Sequence, residues 1–323
     1  MIDILVVYSC TQDTLTSLER VNNYDDMKAY FVHRSFRKID HNLNIQHVCI
    51  PEIFNNDDFK NPDIEYKFKK VLADHGVSLG LIKNILFAKL KFRAIEYSMR
   101  SVLNAIPGRM YKFEDKNIKL SNNDRIQTIG HYIDAGATNN FFEAGLTVAH
   151  DVFEPVTTKD KVLRVHIDHT LELRKECFKE IKGIVSDMQS KIASHPHWDS
   201  LEIIYHTQTE LLDNIGHHNY SNVPLPNIAK LYGKTDIAFI SHSETLGMYH
   251  LEQLSAGSTV CMLGPKLLKK EVIDGLPIIK NARTDTLLDP GYLMSRRMRN
   301  RRSVEKFSFD NYVKRIVKFI SNR

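Results

Sequence analysis

Residues Asp236 to Leu263 read DIAFISHSETLGMYHLEQLSAGSTVCML: an apolar strand, a polar turn, a short helix, a small-residue break and a second apolar strand. This succession predicts one strand-helix-strand unit of a parallel sheet. Ser243, Thr245 and Gly247 occupy the turn and are small enough to bring backbone N–H groups against a phosphate. Glu244 and Glu252 are separated by seven residues. On a helix starting near Leu246 the second carboxylate falls about two turns beyond the first, so both reach one extended ligand from the same side.

Outward from this unit the same alternation continues. Val162 to Ile167 reads as strand, Leu171 to Ile192 as a long helix, Leu201 to His206 as strand and Asn227 to Tyr232 as a short helix. Together they predict a parallel sheet covered on both faces, a Rossmann-like second half. In the first half, strand Ile4 to Tyr8, amphipathic helix Asp25 to Lys38 and strand Ile45 to Ile50 open a β-α-β unit. A polar loop from Asn55 to Pro62 and a helical pattern from Ile64 to Ala73 follow, and strands are expected at Ile126 to Ile133 and Leu146 to Ala149. The exposed connector Asp151 to Asp160 marks the domain boundary, giving domains 1–155 and 156–308.

Leu79 to Leu103 reads as a basic helix with two apolar surfaces. One carries Leu81, Ile85, Ala88, Phe92, Ile95, Met99 and Val102; the other carries Leu86, Phe87, Leu90, Ala94 and Tyr97. One surface meets the domain core. For the other, a second subunit in a homodimer, a neighbouring domain, a membrane surface and ordinary burial are all open.

A chain of 323 residues with 42% hydrophobic content exceeds what one core usually serves. No segment approaches about twenty uninterrupted apolar residues, which argues against a membrane-spanning helix. Cys10, Cys49, Cys177 and Cys261 lie far apart with no CxxC pair, against a structural zinc site or a disulfide framework and in keeping with a reducing cytoplasm. His195, His197, His217 and His218 sit in polar connectors without ligand partners at metal spacing, and read as surface loops. The net charge of +5 permits phosphate-bearing partners.

The Ser243-Glu244-Thr245-Leu246-Gly247 turn, the Glu-x7-Glu spacing to Glu252 and the following Leu254-Ser255-Ala256-Gly257 resemble the donor-binding signature of family-4-like retaining glycosyltransferases of the GT-B fold. Asp151-Val152-Phe153-Glu154-Pro155 is similar to the connector that precedes the C-terminal domain in that class. The resemblance covers about a third of the chain. It implies an α/β protein of two Rossmann-like domains facing a cleft, with residues 309–323 as a closing helix that packs back on the N-terminal domain.

It also implies residue roles. Glu244 holds donor-sugar hydroxyls and Glu252 the ribose hydroxyls, while the N–H groups of Thr245, Leu246 and Gly247 face the diphosphate. Arg174 and Lys175 stand where the class places its cationic clamp, although His166, Asp168 and His169 replace the expected glycine-containing sequence. With those charges and a helix terminus on the diphosphate, neither a metal nor a cofactor is required, and a nucleotide-diphosphate sugar is the co-substrate. His131 and Asp134 lie where a strand ends at the cleft and are candidates for touching the donor sugar or steering the acceptor; a strand histidine and a turn-capping aspartate are the plainer reading.

Arg296, Arg297, Arg299, Arg301 and Arg302 form a basic run that suits phosphates of DNA, lipid headgroups or an acidic glycan, or a solvated helix face. The expected function is retaining sugar transfer in the cytoplasm, possible also at the membrane periphery, with a surface glycan or lipid-linked acceptor. Glucosyl or pentosyl transfer to 5-hydroxymethylated pyrimidines of DNA is the alternative. A sugar-nucleotide epimerase and a non-catalytic nucleotide- or DNA-binding module stand outside the transferase class.

Overall fold

The computed structural model describes residues 4–8, 10–21, 24–43, 45–49, 84–87, 125–128, 141–143, 147–167, 175–205, 217–219, 224–240, 248–263 and 275–321. In chain order the strands are β1 (Ile4–Tyr8), β2 (Ile45–Cys49), β3 (Asn84–Phe87), β4 (Arg125–Thr128), β5 (Phe141–Glu143), β6 (Val162–Ile167), β7 (Ser200–Tyr205), β8 (His217–Asn219), β9 (Ile237–Ile240) and β10 (Thr259–Met262). The helices are α1 (Gln12–Thr16), α2 (Tyr24–Lys38), α3 (Lys175–Ile192), α4 (Leu225–Lys234), α5 (Met248–Ser255), α6 (Thr284–Leu288), α7 (Pro290–Ser303) and α8 (Phe309–Ser321). The chain divides into two units, Met1–Leu146 with Phe309–Arg323, and Thr147–Ser308.

The first unit holds a parallel sheet in the order β2-β1-β3-β4-β5. Phe309, Tyr312, Val313 and Ile316 of α8 are buried at helical spacing, one apolar stripe that needs a partner. Helix α2 supplies it: Phe31 stacks on Phe309 at 5.3 Å between ring centroids, Ser35 Oγ donates to Asp310 Oδ1 at 2.6 Å, and Lys38 pairs with the same carboxylate. The end of the chain is thereby part of the first unit.

Beneath α2 sits a buried polar cluster. The Tyr8 hydroxyl meets His47 Nδ1 at 2.8 Å, and the His33 and His47 rings lie 4.8 Å apart. Burial holds the Tyr8 phenol well above its ordinary value, so it keeps its proton and donates to the imidazole. Burial, reinforced by the neighbouring His33, Arg37 and His41, lowers His47 to about 4.

The second unit holds a parallel sheet in the order β10-β9-β6-β7-β8. Leu163, Val165 and Ile167 of β6 meet Ile181, Val185, Met188 and Ile192 of α3 in one core that also takes Ile237, Phe239 and Cys261 from β9 and β10. Every residue of β9 and β10 is buried, as expected for parallel strands covered on both faces.

Several sequence expectations are corrected. The helix expected over Leu79 to Leu103 is broken by β3, whose Ile85 and Leu86 pair with Leu5 and Val6 of β1. A short apolar run fits a central strand as well as a buried helix, and pairing in the sheet decides it. The rest of that stretch, 79–83 and 88–103, on which the expected homodimer and membrane contacts rest, lies outside the described residues. Of the strand expected over 146–149, the described residues 147–149 form no strand, Val148 making an isolated bridge to Ser308, and a strand lies earlier, at Phe141–Glu143. His217 and His218 lie in β8, paired with β7, and not in a loop.

The second unit begins at Thr147, and its opening stretch is tied to it. Val148 N donates to Phe307 O at 2.8 Å, Phe153 stacks on Tyr232 at 5.6 Å, and Val156 N donates to Gly233 O at 2.8 Å, so the whole connector is bonded to the second unit.

Candidate functional site

In the second sheet, β6 has β7 on one side and β9 on the other. The chain order reverses there, which makes the carboxyl ends of β6 and β9 the topological switch point where ligands of open α/β sheets bind. Helix α5 is the first described element after β9, with residues 241–247 between them, so its N-terminus belongs to that end of the sheet.

From 250 to 255, five of six residues of α5 are buried, with His250, Gln253 and Ser255 among them. Tyr249 and Glu252 keep part of their surface in solvent. They are three apart and share one helix face. That face carries a phenol and a carboxylate, an acceptor able to hold two vicinal hydroxyls at once.

Tyr249 is fixed from below. Its hydroxyl lies 2.6 Å from Nδ1 of His166, the penultimate residue of β6, and the two rings are 5.3 Å apart. Tyr232 of α4 closes the cluster edge-on, 4.9 Å from His166 and 5.9 Å from Tyr249. The first turn of α5 is therefore tied to the carboxyl end of β6 at the switch point. Sequence reasoning assigned no role to His166 or Tyr249; the signal available was a histidine inside the otherwise apolar end of VLRVHI.

The far end of α5 is held as firmly. Ser255 Oγ donates to Phe153 O at 2.9 Å, Ser258 Oγ lies 2.7 Å from Gln253 Oε1, and Asn300 Nδ2 donates to Ser258 O at 2.8 Å. Gly257 turns the chain into β10 with φ of 88°. A Cβ there would also stand 2.6 Å from Arg297 Cγ, so glycine is required by backbone and space together.

The five arginines of α7 do not share one role. Arg297 donates to Val156 O at 3.0 Å and to Gly233 O, and lies 3.5 Å from Asp236 Oδ1. Burial raises the Asp236 carboxyl to about 6, with Arg164 and Arg297 acting against it. Arg301 donates to Phe153 O at 2.8 Å and Ser255 O at 3.0 Å and pairs with Glu154 at 3.1 Å; Arg296 bonds Pro277 O and Tyr292. These three are committed to the protein's own carbonyls and do not form the expected phosphate surface. Arg299 and Arg302 are exposed.

Of the remaining expected site residues, Ser243, Glu244, Thr245, Leu246 and Gly247 lie outside the described residues, as do His131, Asp134 and Arg174. Lys175 opens α3. Among the described residues no group of three His, Cys, Asp or Glu side chains is placed to hold a metal ion, and no described helix is long and apolar enough to cross a membrane.

No protein-family model matches the chain, and no curated protein matches it in sequence. Solved structures do match in fold. A glycosyltransferase from Rickettsia africae ESF-5 superposes with a TM-score of 0.55 at 12% identity, over 99% of this chain and 97% of that one. The fold is GT-B. An Anabaena protein in complex with UDP and glucose superposes with a TM-score of 0.51 at 10% identity, over 100% of both chains. A candidate UDP-N-acetylglucosamine 2-epimerase from Listeria monocytogenes reaches 0.54 at 9% identity, over 99% of this chain and 95% of that one. GT-B architecture thus joins transferases and candidate epimerases of nucleotide sugars, and the side chains at the switch point must carry the functional argument.

Proposed function

We propose that the chain is a retaining glycosyltransferase that moves a sugar from a nucleotide-diphosphate donor to an acceptor hydroxyl, with the donor bound at the carboxyl ends of β6 and β9. The observation that supports this reading is the partly exposed Glu252 on α5, one helical turn from Tyr249, whose hydroxyl meets His166 at the carboxyl end of β6. Glu252 accepts from the ribose hydroxyls. Glu244, eight positions earlier in the chain, takes the donor-sugar hydroxyls, and the N–H groups of 245–247 receive the diphosphate. The positive end of α5 stabilises the diphosphate as it departs, with Arg174 and Lys175 as the cationic clamp.

The departing phosphate accepts the acceptor proton, and His131 or Asp134 orients the acceptor hydroxyl. UDP is the first nucleotide to test, because the Anabaena fold neighbour holds UDP and glucose. The acceptor is a surface glycan or lipid-linked intermediate. A DNA acceptor is weakened by the commitment of Arg296, Arg297 and Arg301 to internal carbonyls. The Listeria neighbour supports a second reading, a sugar-nucleotide epimerase.

The test incubates the protein with a panel of nucleotide sugars and follows nucleotide release and sugar configuration by NMR. Nucleotide release that accelerates with added glycan or lipid-linked acceptor supports transfer. Conversion of the donor to its epimer without any acceptor overturns it in favour of the epimerase. No turnover of any donor, with no nucleotide bound, rejects both.

A further inference from the structure

We propose that the outer face of α7 is a docking surface for an anionic lipid surface. Met294 and Met298 are 76% and 53% exposed, and among the described residues they are the exposed large hydrophobic side chains. They stand one turn apart, and Arg302 continues the same ridge one turn further. Ser295 and Arg299 form the ridge beside it. All five side chains are exposed, so two apolar chains and two guanidinium groups share one helix face.

The opposite face of α7 explains why these methionines stay outside. Leu293, Asn300 and the following Val304 are buried. Arg297 and Arg301 clamp that side to Val156, Gly233, Phe153 and Ser255 through backbone carbonyls. Rolling the helix to cover Met294 and Met298 would break every one of those bonds. The face is thus a fixed platform.

Its chemistry selects the occupant. A guanidinium pairs with a lipid phosphate through two parallel hydrogen bonds, while an unbranched thioether enters the boundary between headgroups and acyl chains. Duplex DNA would satisfy Arg299 and Arg302 but offers nothing to two methionines. Lys306 adds a further exposed cation beyond the helix and Glu305 offsets part of the charge, within a chain of net charge +5. A negatively charged leaflet attracts such a basic segment, and the methionines then convert attraction into insertion. This inference is independent of the donor-site reading.

The test is co-sedimentation of the full chain with vesicles of phosphatidylcholine alone and of phosphatidylcholine mixed with phosphatidylglycerol, with duplex DNA binding measured in parallel. Binding to the mixed vesicles only is expected. The pair Met294→Ser with Met298→Ser, and separately Arg299→Gln with Arg302→Gln, should each weaken it by about tenfold. Because all four side chains are exposed, the melting temperature of either double variant should stay that of the parent, which separates lost docking from lost folding. Absence of binding to mixed vesicles overturns the proposal, as does binding that survives the methionine pair. Duplex DNA binding that depends on Arg299 and Arg302 alone, with no vesicle binding, would reassign the face to nucleic acid.

Discussion

The Tyr249 hydroxyl lies 2.6 Å from His166 Nδ1, joining the first turn of α5 to the carboxyl end of the central strand β6. Removing that hydroxyl with Tyr249→Phe keeps the ring and leaves a buried imidazole nitrogen without this partner, at a cost of about 1–2 kcal/mol. The expected outcome is a melting temperature lower by a few degrees and a nucleotide affinity weakened several-fold, with CD unchanged. A helix held only by its apolar contacts would show the fall in stability without the loss of affinity.

The arginines of α7 should separate cleanly by mutation. Arg297→Ala removes a partly buried guanidinium that donates to the Val156 and Gly233 carbonyls and faces Asp236, and should destabilise by about 3 kcal/mol. Arg302→Ala, at an exposed position, should stay within about 0.5 kcal/mol of the parent. Urea denaturation of both variants checks the contrast.

Gly257→Ala should be costly for two reasons at once. The backbone sits at φ of 88°, and the added carbon meets Arg297 Cγ at 2.6 Å. A loss of about 2–4 kcal/mol is expected from strain and displacement together, read as a lowered midpoint in the same denaturation experiment.

The first unit should be sensitive to acid. His47 is lowered to about 4 in the folded protein against an ordinary value of about 6.5, so the folded state binds fewer protons in between. Its contribution is complete above pH 6.5 and is lost as the pH falls from there through about 4, at most about 3 kcal/mol. Thermal unfolding followed across this range should show that decline, and His47→Gln should flatten it. An unchanged pH dependence in the variant would assign the acid sensitivity to other groups.

Much of the second unit was legible in the sequence because its signals agree with one another. The apolar runs of β6, β9 and β10, the helix between the last two and the break at Gly257 each follow from local pattern, and the sheet order then follows from parallel pairing. Residues 84–87 were misread because an apolar run with basic neighbours satisfies a helical stripe and a central strand equally. The fates of Arg297 and Arg301 were illegible for a different reason. Both donate to backbone carbonyls more than a hundred residues away in the chain, and no spacing in α7 encodes them. His166 and Tyr249 were missed likewise, since 83 residues separate the two halves of one hydrogen bond.

The most direct test of a donor site on α5 is isothermal titration of UDP into the parent protein and into Glu252→Ala. UDP binding in the parent, weakened by at least about tenfold in the variant at unchanged melting temperature, is the predicted result. Equal affinity in the two proteins would contradict the account, because a nucleotide held without Glu252 is not held where β6, β9 and α5 meet.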